Sequence, residues 1–341
     1  MRSSSPSVDE RGHRRLALAH TPTPLALLGP TSEALGVRVW VKRDDATGGA
    51  ETGNKIRKLE YLAAAAVDAG ATHLVTCGAV QSNHARATAV VAARLGLRSV
   101  LLLRRRPGEE PRLVGNLLVD RLVGAETRFI TPEQYRSRTA LMDDVAREIG
   151  AAGGRAYVIP EGGSNALGSL GYVRAMGEVR AQLDAGAAGD VRRFDVVVHA
   201  CGSGGTAAGV SVGASAYGVA DRVLAACVCD DEAYFAGVVA TIHEGIRELA
   251  PSLPAPAPLD FDASEKGPAY GVMNDDQKRV LVEVARADGL VLDPVYTGKA
   301  MCTLRAAVAS GRVREGADVL FLHTGGLPGL LAEAQAFEGA L

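Results

Sequence analysis

The sequence contains no long apolar run. Of its 341 residues, 47% are hydrophobic and 22% are charged, a balance typical of a globular protein with a large core. No segment approaches the roughly 20 apolar residues of a membrane span. The charged N-terminal segment MRSSSPSVDERGHRRLALAH is not followed by the apolar core of a signal peptide. We therefore expect a soluble, cytoplasmic protein that does not bind membranes.

The sequence also has no excess of either charge and no metal-type pattern of cysteines. Its formal net charge of −2 gives no broad electrostatic reason to bind nucleic acid. We interpret the basic run Arg104–Arg106 as the solvated end of an apolar strand. The 5 cysteines include Cys227 and Cys229 on one face of a predicted strand, but no second pair completes a zinc set. We therefore expect free thiols in a reducing compartment and no bound metal.

Short apolar, β-branched runs alternate along the chain with longer helical patterns rich in alanine and leucine. The runs predict strands at 38–45, 72–77, 98–104, 126–130, 155–160, 194–201, 222–229 and 318–324. The patterns predict helices near 54–69, 83–95, 111–123, 132–149, 167–183, 205–219, 232–249, 275–288, 298–310 and 328–338. The proline-rich segment 250–271 is typical of a long surface connection. This alternation predicts an α/β fold with mostly parallel, twisted sheets covered by helices, and the chain length suggests two domains.

A dense glycine cluster, ACGSGGTAAGV at 200–210, follows one predicted strand and opens a helix. Ligands of parallel sheets collect at such strand ends. Successive backbone N–H groups can converge there on an anion, and the helix dipole adds roughly half a positive charge. Ser203 and Thr206 can add hydroxyl donors. The cluster therefore predicts a phosphate site.

The same segment also fits a dinucleotide-binding pattern. Residues 202–207 match G-x-G-x-x-A, and the next predicted strand ends in the acid pair Asp230 and Asp231. Taken alone, the segment favours a nicotinamide-dependent dehydrogenase or a flavin enzyme about as strongly as any other phosphate ligand. It does not decide between them.

Other strand ends carry further candidate residues. In CGAVQSNHARAT, Ser82 or Asn83 is a helix N-cap in one interpretation and holds a substrate carboxylate in the other, and both can hold at once. His84 is more often structural than catalytic. Residues with hydroxyl groups occupy three further loops: Tyr270, Tyr296, Thr297 and Thr324.

Lys55 lies where a helix begins, on the side that also carries the apolar residues Leu59 and Leu62. The helix dipole and partial burial both disfavour its ammonium form, so we expect a lowered pKa. A lysine that is partly neutral can attack a carbonyl carbon. A nucleophilic lysine, a phosphate site and a carboxylate-binding turn together indicate a pyridoxal phosphate enzyme that acts on an amino acid.

The assembled motifs resemble those of the D-cysteine desulfhydrase and 1-aminocyclopropane-1-carboxylate (ACC) deaminase family. The matching segments run in family order along nearly the whole chain: TPTPL (21–25), VKRDD (41–45), GNKIRKLEYL (53–62), GAVQSNHARATAVVAARLGL (78–97), EGGSNALGSLGYV (161–173), CGSGGTAAG (201–209), GPAYGV (267–272), LDPVYTGKA (292–300) and LHTGGLPGL (322–330). The resemblance implies the tryptophan-synthase-β-like fold (fold type II). It also implies a larger cofactor-binding domain at 1–52 and 165–341, a smaller inserted domain at 53–164, and a homodimer.

The resemblance implies how pyridoxal 5′-phosphate would be held. Lys55 would bind it covalently, Asn83 would contact its ring oxygen, and Lys58 would assist at its phosphate. The phosphate itself would be cradled by Gly202, Ser203, Gly204, Gly205 and Thr206. Thr297 and Thr324 would lie near the cofactor ring.

The resemblance also implies roles toward the substrate. Ser82 would bind the substrate carboxylate and relay protons, with Gln81, Asn83 and His84 beside it. Tyr270 and Tyr296 would line the pocket and act with Lys55 in catalysis. One departure is Thr52, where relatives have a second glycine before the lysine.

Two positions separate the activities within this family. ACC deaminases carry a glutamate where this chain has Thr297 and a leucine where it has Thr324. A carboxylate there would keep the cofactor ring nitrogen protonated, which a threonine hydroxyl does not. The resemblance therefore implies a carbon–sulfur lyase that converts D-cysteine to pyruvate, ammonia and hydrogen sulfide. L-cysteate sulfo-lyase, another cysteine or S-conjugate lyase and ACC deaminase are the alternatives.

Overall fold

The structure, a computed structural model, describes residues 6–9, 11–106, 108, 110–339 and 341 of the chain. Its strands, β1 to β12 in chain order, are Pro6–Val8, Arg14–Leu16, Leu25–Leu27, Arg38–Lys42, His73–Ala79, Arg98–Arg104, Glu126–Ile130, Ala156–Val158, Phe194–Cys201, Ala220–Cys227, Leu259–Asp262 and Asp318–Leu322. Its helices, α1 to α12, are Gly29–Leu35, Lys55–Asp68, Asn83–Arg94, Gly115–Leu122, Pro132–Arg136, Arg138–Ala151, Ala166–Asp184, Gly205–Tyr217, Glu232–Leu249, Asp275–Asp288, Thr297–Ala309 and Leu327–Ala332.

Most strands form two sheets. The larger has the order β11-β10-β9-β12-β4-β3 and is parallel except for the edge strand β3. The smaller has the order β7-β6-β5-β8 and is parallel throughout. Both are built from near-continuous apolar runs that are buried on both faces, as in VLLL of β6 and VVVHA of β9. The predicted α/β class with mostly parallel sheets is confirmed.

The two sheets take their strands from different parts of the chain. The smaller sheet uses strands between residues 73 and 158, whereas the larger uses strands before and after that stretch. The helix that begins at Lys55 packs on both α7 and the N-terminal strand β2. The domain boundaries at 52/53 and 164/165 remain a prediction.

The structure corrects the sequence analysis in several places. Residues 259–262, which lie inside the predicted surface connection, form β11 and pair in parallel with β10. The helix predicted at 132–149 is interrupted at Ser137, where φ is −102° and ψ is 24°. Three short N-terminal strands and α1 were not expected at all. These elements are too short to show a periodic pattern.

Within the described residues, no helix is long and apolar enough to cross a membrane.

Candidate active site

The candidate active site is a solvent-open cavity of about 370 Å³ where strand ends meet helix N-termini. Its walls come from the starts of α2 and α3, the loop between β9 and α8, the residue before α11, and the segment after β12. The lining residues are Asn54, Lys55, Asn83, Ala200, Cys201, Gly202, Ser203, Gly204, Thr206, Ala207, Tyr296 and Thr324. Eight of these twelve are residues that the sequence singled out. Residues more than 200 positions apart along the chain are thus brought to one place.

The glycine loop at 202–205 forms a cradle that side chains would fill. A Cβ atom on Gly202 would lie 3.1 Å from the Tyr296 ring, and one on Gly205 would lie 2.9 Å from Lys58 Nζ. Helix α8 begins at Gly205, and its N-cap residue, Gly204, has no side chain that could accept from the first turn. Its first N–H groups and its dipole therefore face the cavity without a protein anion.

Lys58 and Ser164 close the cradle from behind. Lys58 is 1% exposed, and its Nζ donates to Gly162 O at 3.1 Å and Ser164 Oγ at 3.2 Å. Ser164 Oγ also accepts from Gly205 N at 3.2 Å and lies 2.8 Å from Ser203 Oγ. Burial, and then the charge of Lys55, hold the pKa of Lys58 well below its usual value. In the part of the chain that is described, Lys58 forms no salt bridge, so a bound phosphate would supply its counter-charge.

Lys55 borders the cavity at the first position of α2. Burial lowers its pKa to about 8, although the charges of Cys201 and Glu161 oppose the shift. A substantial fraction of the side chain is then neutral near neutral pH, as a nucleophile or general base requires. The expectation of a lowered pKa is confirmed, and desolvation is its main cause.

Asn83 presents its amide N–H₂ group to the cavity because a neighbour fixes its orientation. Arg86 Nε donates to Asn116 Oδ1 at 2.6 Å, so Asn116 Nδ2 must point the other way. That nitrogen donates to Asn83 Oδ1 at 3.2 Å and to Gln81 O at 2.9 Å. Arg86 also donates to Thr52 O at 2.8 Å and to Ala50 O. One buried network thus joins the loop before Lys55 to the turn before α3.

The turn at 81–84 confirms one of its two predicted roles, the helix N-cap, and leaves the binding of a substrate carboxylate as a prediction. Ser82 is the N-cap of α3, and its Oγ accepts from Ala85 N at 3.2 Å, which leaves its own proton to donate. The side-chain amide of Gln81 is hydrogen-bonded to the start of α4. It donates to Val114 O at 3.0 Å and accepts from Asn116 N at 2.8 Å. Gln81 therefore lines a neighbouring cavity rather than the candidate site.

His84 lies behind the cavity wall. Its Nε2 is 2.9 Å from Thr76 Oγ1, which donates to Ile159 O, so Nε2 carries the proton. Burial and the charges of Lys55 and Lys58 hold its pKa well below the usual value. The His84 imidazole is therefore neutral and hydrogen-bonded to Thr76, which does not support its predicted contact with substrate.

Tyr296 lines the candidate site, and its hydroxyl group meets that of Tyr270, which lines a neighbouring cavity. Tyr270 Oη lies 2.5 Å from Tyr296 Oη, and the rings meet edge to face with centroids 6.1 Å apart. Burial raises the pKa of both hydroxyl groups above the usual range. Both therefore keep their protons at neutral pH.

The two threonines occupy different environments. Thr324 lines the cavity, and its carbonyl oxygen accepts from Asn54 N at 3.0 Å. Thr297 is fully buried, and its Oγ1 donates to Asp293 Oδ1 at 2.7 Å and accepts from Asp293 N at 2.8 Å. The Thr297 hydroxyl is thus part of the turn that starts α11, outside the cavity lining. Its predicted position near the cofactor ring remains a prediction.

The sequence did not reveal the residues that hold the predicted site residues in place. Ser164, Asn116 and Asp293 each hold a predicted site residue but lie on different elements from it. Asn54 lines the cavity and donates to Thr206 Oγ1 at 3.1 Å. Ser164 lies in the segment EGGSNALG, which the family resemblance had marked without giving any residue a role.

The chain is similar to known proteins along most of its length. The sequence pattern of the family described as "Pyridoxal-phosphate dependent enzyme" matches residues 16–325. The bifunctional D-cysteine desulfhydrase/1-aminocyclopropane-1-carboxylate deaminase of Arabidopsis thaliana, a mitochondrial protein, is 41% identical over 92% of this chain and 78% of its own. A putative 1-aminocyclopropane-1-carboxylate deaminase of Thermotoga maritima is 42% identical over 94% of this chain and 99% of its own.

A solved structure extends the likeness to the fold. The crystal structure of an ACC deaminase homologue superposes with a TM-score of 0.86 at 35% identity, covering 96% of this chain and 97% of its own. The glycine cradle, the uncapped helix and the buried Lys58 fit the phosphate of pyridoxal phosphate, and Lys55 lines the same cavity. The chain therefore belongs to the pyridoxal-phosphate-dependent enzyme family, among the relatives of D-cysteine desulfhydrase and ACC deaminase.

Proposed function

We propose that this protein is a pyridoxal-phosphate-dependent carbon–sulfur lyase that converts D-cysteine to pyruvate, ammonia and hydrogen sulfide. The observation that carries the proposal is Lys55, partly neutral, in one cavity with an uncapped helix N-terminus. The printed name of the Arabidopsis thaliana relative supports the choice of substrate. Threonine at 297 and 324, in place of the glutamate and leucine of ACC deaminases, supports it further.

The cofactor would be held by groups that the fold positions independently of one another. The N–H groups of Gly202–Thr206 and the Lys58 ammonium would neutralise its phosphate. The Asn83 N–H₂ group would donate to its ring oxygen, because Asn116 already occupies Asn83 Oδ1. When bound, pyridoxal phosphate supplies an electron-withdrawing ring that stabilises negative charge at the α-carbon of an amino acid.

The chain's own groups would then move the protons. Lys55 Nζ, neutral in a substantial fraction of molecules, takes the α-proton as general base. Ser82 Oγ has a proton free to donate to the substrate carboxylate. The carbon–sulfur bond breaks with its electron pair leaving on sulfur as hydrosulfide, and the paired hydroxyl groups of Tyr270 and Tyr296, which keep their protons, can donate a hydrogen bond to it. Water then hydrolyses the unsaturated amino acid that remains after loss of sulfide, giving ammonia and pyruvate.

The product assay distinguishes this activity from its alternatives. Purified protein loaded with pyridoxal phosphate is supplied separately with D-cysteine, L-cysteine, L-cysteate and ACC, and sulfide, sulfite and ammonia are measured. We expect sulfide and ammonia in equal amounts from D-cysteine, and neither product from the Lys55→Ala variant. Ammonia from ACC without sulfide from D-cysteine would show that ACC deaminase, the second name carried by the relatives, is the better assignment.

We also propose a homodimer and a cytoplasmic location, as the family resemblance implies. Light scattering of the purified holoenzyme tests the first proposal, since it gives twice the mass of 35.3 kDa for a dimer. Fractionation of the source cells tests the second.

A further inference from the structure

Lys299 is a buried lysine that the proposed chemistry does not use. It is 0% exposed and is the third residue of α11, where the helix dipole disfavours a positive charge. Within the described part of the chain it forms no salt bridge. Burial lowers its pKa to about 8, although the charges of Cys229, Asp293 and Cys302 oppose the shift. An ammonium group in such a place is costly unless polar groups of the protein replace its water.

Three backbone carbonyl groups surround the Lys299 ammonium. Its Nζ donates to Lys266 O at 2.5 Å, to Ala269 O at 2.9 Å and to Val228 O at 3.5 Å. An ammonium group has three N–H donors and a neutral amine has two, so three accepting carbonyls favour the charged form. Carbonyl oxygens arranged around a single positive charge are also what replaces the hydration shell of a monovalent cation.

Two of these carbonyls belong to the segment that carries Tyr270. They precede Tyr270 in the connection between β11 and α10. Gly267 lies between them with a φ of 72°, and a Cβ there would lie 2.8 Å from Val272 O. The turn therefore requires glycine, and it brings the segment against Lys299.

Lys299 also lies on the element that follows Tyr296. Tyr296 is the N-cap residue of α11, and its hydroxyl group is 2.5 Å from that of Tyr270. Lys299 thus joins the segment before Tyr270 to the helix after Tyr296. The positions of the two hydroxyl groups are linked through this one side chain.

We propose that Lys299 is a positioning residue that acts as a tethered monovalent cation: its ammonium group, surrounded by three carbonyls, holds Tyr270 against Tyr296. Without this side chain, the same carbonyls would bind a small free cation such as ammonium or potassium. The role of the tyrosine pair in catalysis rests on the proposed function, in which the pair donates a hydrogen bond to the leaving hydrosulfide. The cation site does not depend on that function.

The first part of the test requires no catalysis. Melting temperatures of the wild-type, Lys299→Ala and Lys278→Ala holoenzymes are measured in ammonium, potassium and tetramethylammonium chloride at equal ionic strength. Tetramethylammonium has no N–H donors and is too large for the three carbonyls to coordinate. We expect ammonium or potassium to raise the melting temperature of Lys299→Ala by at least about 2 °C over tetramethylammonium, as a ligand that binds only the folded state does. Wild type and Lys278→Ala, which breaks an exposed pair with Asp275, should show no such difference.

The second part tests the link to the tyrosine pair. The kcat/KM for D-cysteine in tetramethylammonium chloride is measured for wild type, Lys299→Ala, Tyr270→Phe and the double variant. We expect Lys299→Ala to lower kcat/KM about tenfold, because a tenfold change corresponds to the free energy that roughly one hydrogen bond contributes. Potassium should restore most of this loss. If Lys299 acts through Tyr270, the double variant should be no slower than Tyr270→Phe, and potassium should restore nothing in it.

A folded Lys299→Ala holoenzyme that behaves alike in the three salts would overturn the proposal, as would additive losses in the double variant. Folding of Lys299→Ala only in ammonium or potassium would support it. If that variant folds in none of the salts, Lys299→Gln decides, since it keeps two N–H donors without the charge: its kcat/KM should fall and cations should not restore it, and an unchanged kcat/KM would overturn the proposal. If wild type releases no sulfide from D-cysteine, the proposed function fails, and the melting temperatures still decide the cation site.

Discussion

At the scale of single residues, the lowered pKa of Lys55 makes the chemistry of the site depend on pH. Burial lowers that pKa to about 8. Because only the neutral amine is nucleophilic, covalent capture of an aldehyde by apoprotein should speed up about tenfold per pH unit below 8 and level off above it. Stopped-flow measurement of pyridoxal phosphate uptake from pH 6 to 10 checks this. A midpoint near 10.5, the usual value for lysine, would contradict a buried Lys55.

A substitution at Asn116 tests whether the orientation of the Asn83 side-chain amide matters for cofactor binding. Asn116→Asp keeps an acceptor for Arg86 Nε but removes the donor to Asn83 Oδ1. We expect the dissociation constant of pyridoxal phosphate to rise about tenfold, because a tenfold change corresponds to the free energy that roughly one hydrogen bond contributes. Equilibrium dialysis measures it.

The Asn83→Ala variant serves as the reference for this effect. If Asn116 acts through Asn83, the double variant should bind the cofactor no more weakly than Asn83→Ala alone. Additive losses would show that Asn116 acts by another route.

Most of the residues in contact with the cavity could be predicted from sequence, and those behind them could not. Lys55, Asn83 and the loop 202–206 carry local signals: a lysine at a helix start, a cap motif and a glycine cluster. Asn116 carries none, since an asparagine near the start of α4 is ordinary. Its importance comes from packing against α3, which depends on the order of strands in the smaller sheet.

At the scale of elements, we expect cofactor binding to depend on the start of α8. Gly205→Ala would place a Cβ 2.7 Å from Ser164 Oγ and 2.9 Å from Lys58 Nζ. We expect it to weaken the affinity for pyridoxal phosphate at least tenfold by pushing Lys58 and Ser164 out of the cradle. A fluorescence titration of apoprotein measures the affinity.

Gly237→Ala in α9 is the matched control. A Cβ there meets nothing within 4 Å, so it should leave affinity unchanged and stabilise the helix by about 1 kcal/mol. Unchanged affinity in Gly205→Ala would mean that the phosphate binds elsewhere.

Elements with several turns or long apolar runs were predictable, and short ones were not. The bounds of β6, β9 and α10 match their predictions because each shows a full hydrophobic pattern between clear ends. Strand β11 has only four residues, which lie between prolines and polar residues. It is a strand only because it pairs with β10. Tertiary context decides such segments.

At the scale of the whole molecule, a buried ionic network fixes the helix of Lys55 to the larger sheet. Arg57 donates to Asp44 and Glu178, and Lys42 of β4 donates to Glu178 at 2.6 Å. Burial alone would raise the pKa of Glu178, but hydrogen bonds and charge from Arg57 and Lys42 lower it to about 2. The network therefore requires Glu178 to be ionised.

Glu178→Gln should lower the free energy of unfolding by about 3–5 kcal/mol at pH 7, because it removes the salt-bridge partner of the buried Lys42 and one of the two carboxylates that pair with Arg57. The folded-state pKa is depressed, so the contribution of Glu178 is full above its unfolded pKa of about 4.3 and is lost as pH falls toward 2. The difference between wild type and variant should therefore shrink below pH 4. Urea unfolding at pH 7 and pH 3 measures it.

Glu148→Gln breaks an exposed pair with Arg128 and should change stability by less than about 1 kcal/mol. A loss in Glu178→Gln no larger than in this control would contradict the proposed role of the network.

The visible absorption spectrum of purified holoenzyme tests the central claim, that Lys55 holds the cofactor for chemistry on a cysteine-like amino acid. We predict that wild type shows the absorption of covalently bound pyridoxal phosphate and that D-cysteine perturbs it. Lys55→Ala should lack this absorption while the uncapped α8 cradle still retains the cofactor. A wild-type protein that stays colourless after pyridoxal phosphate is added would contradict the account.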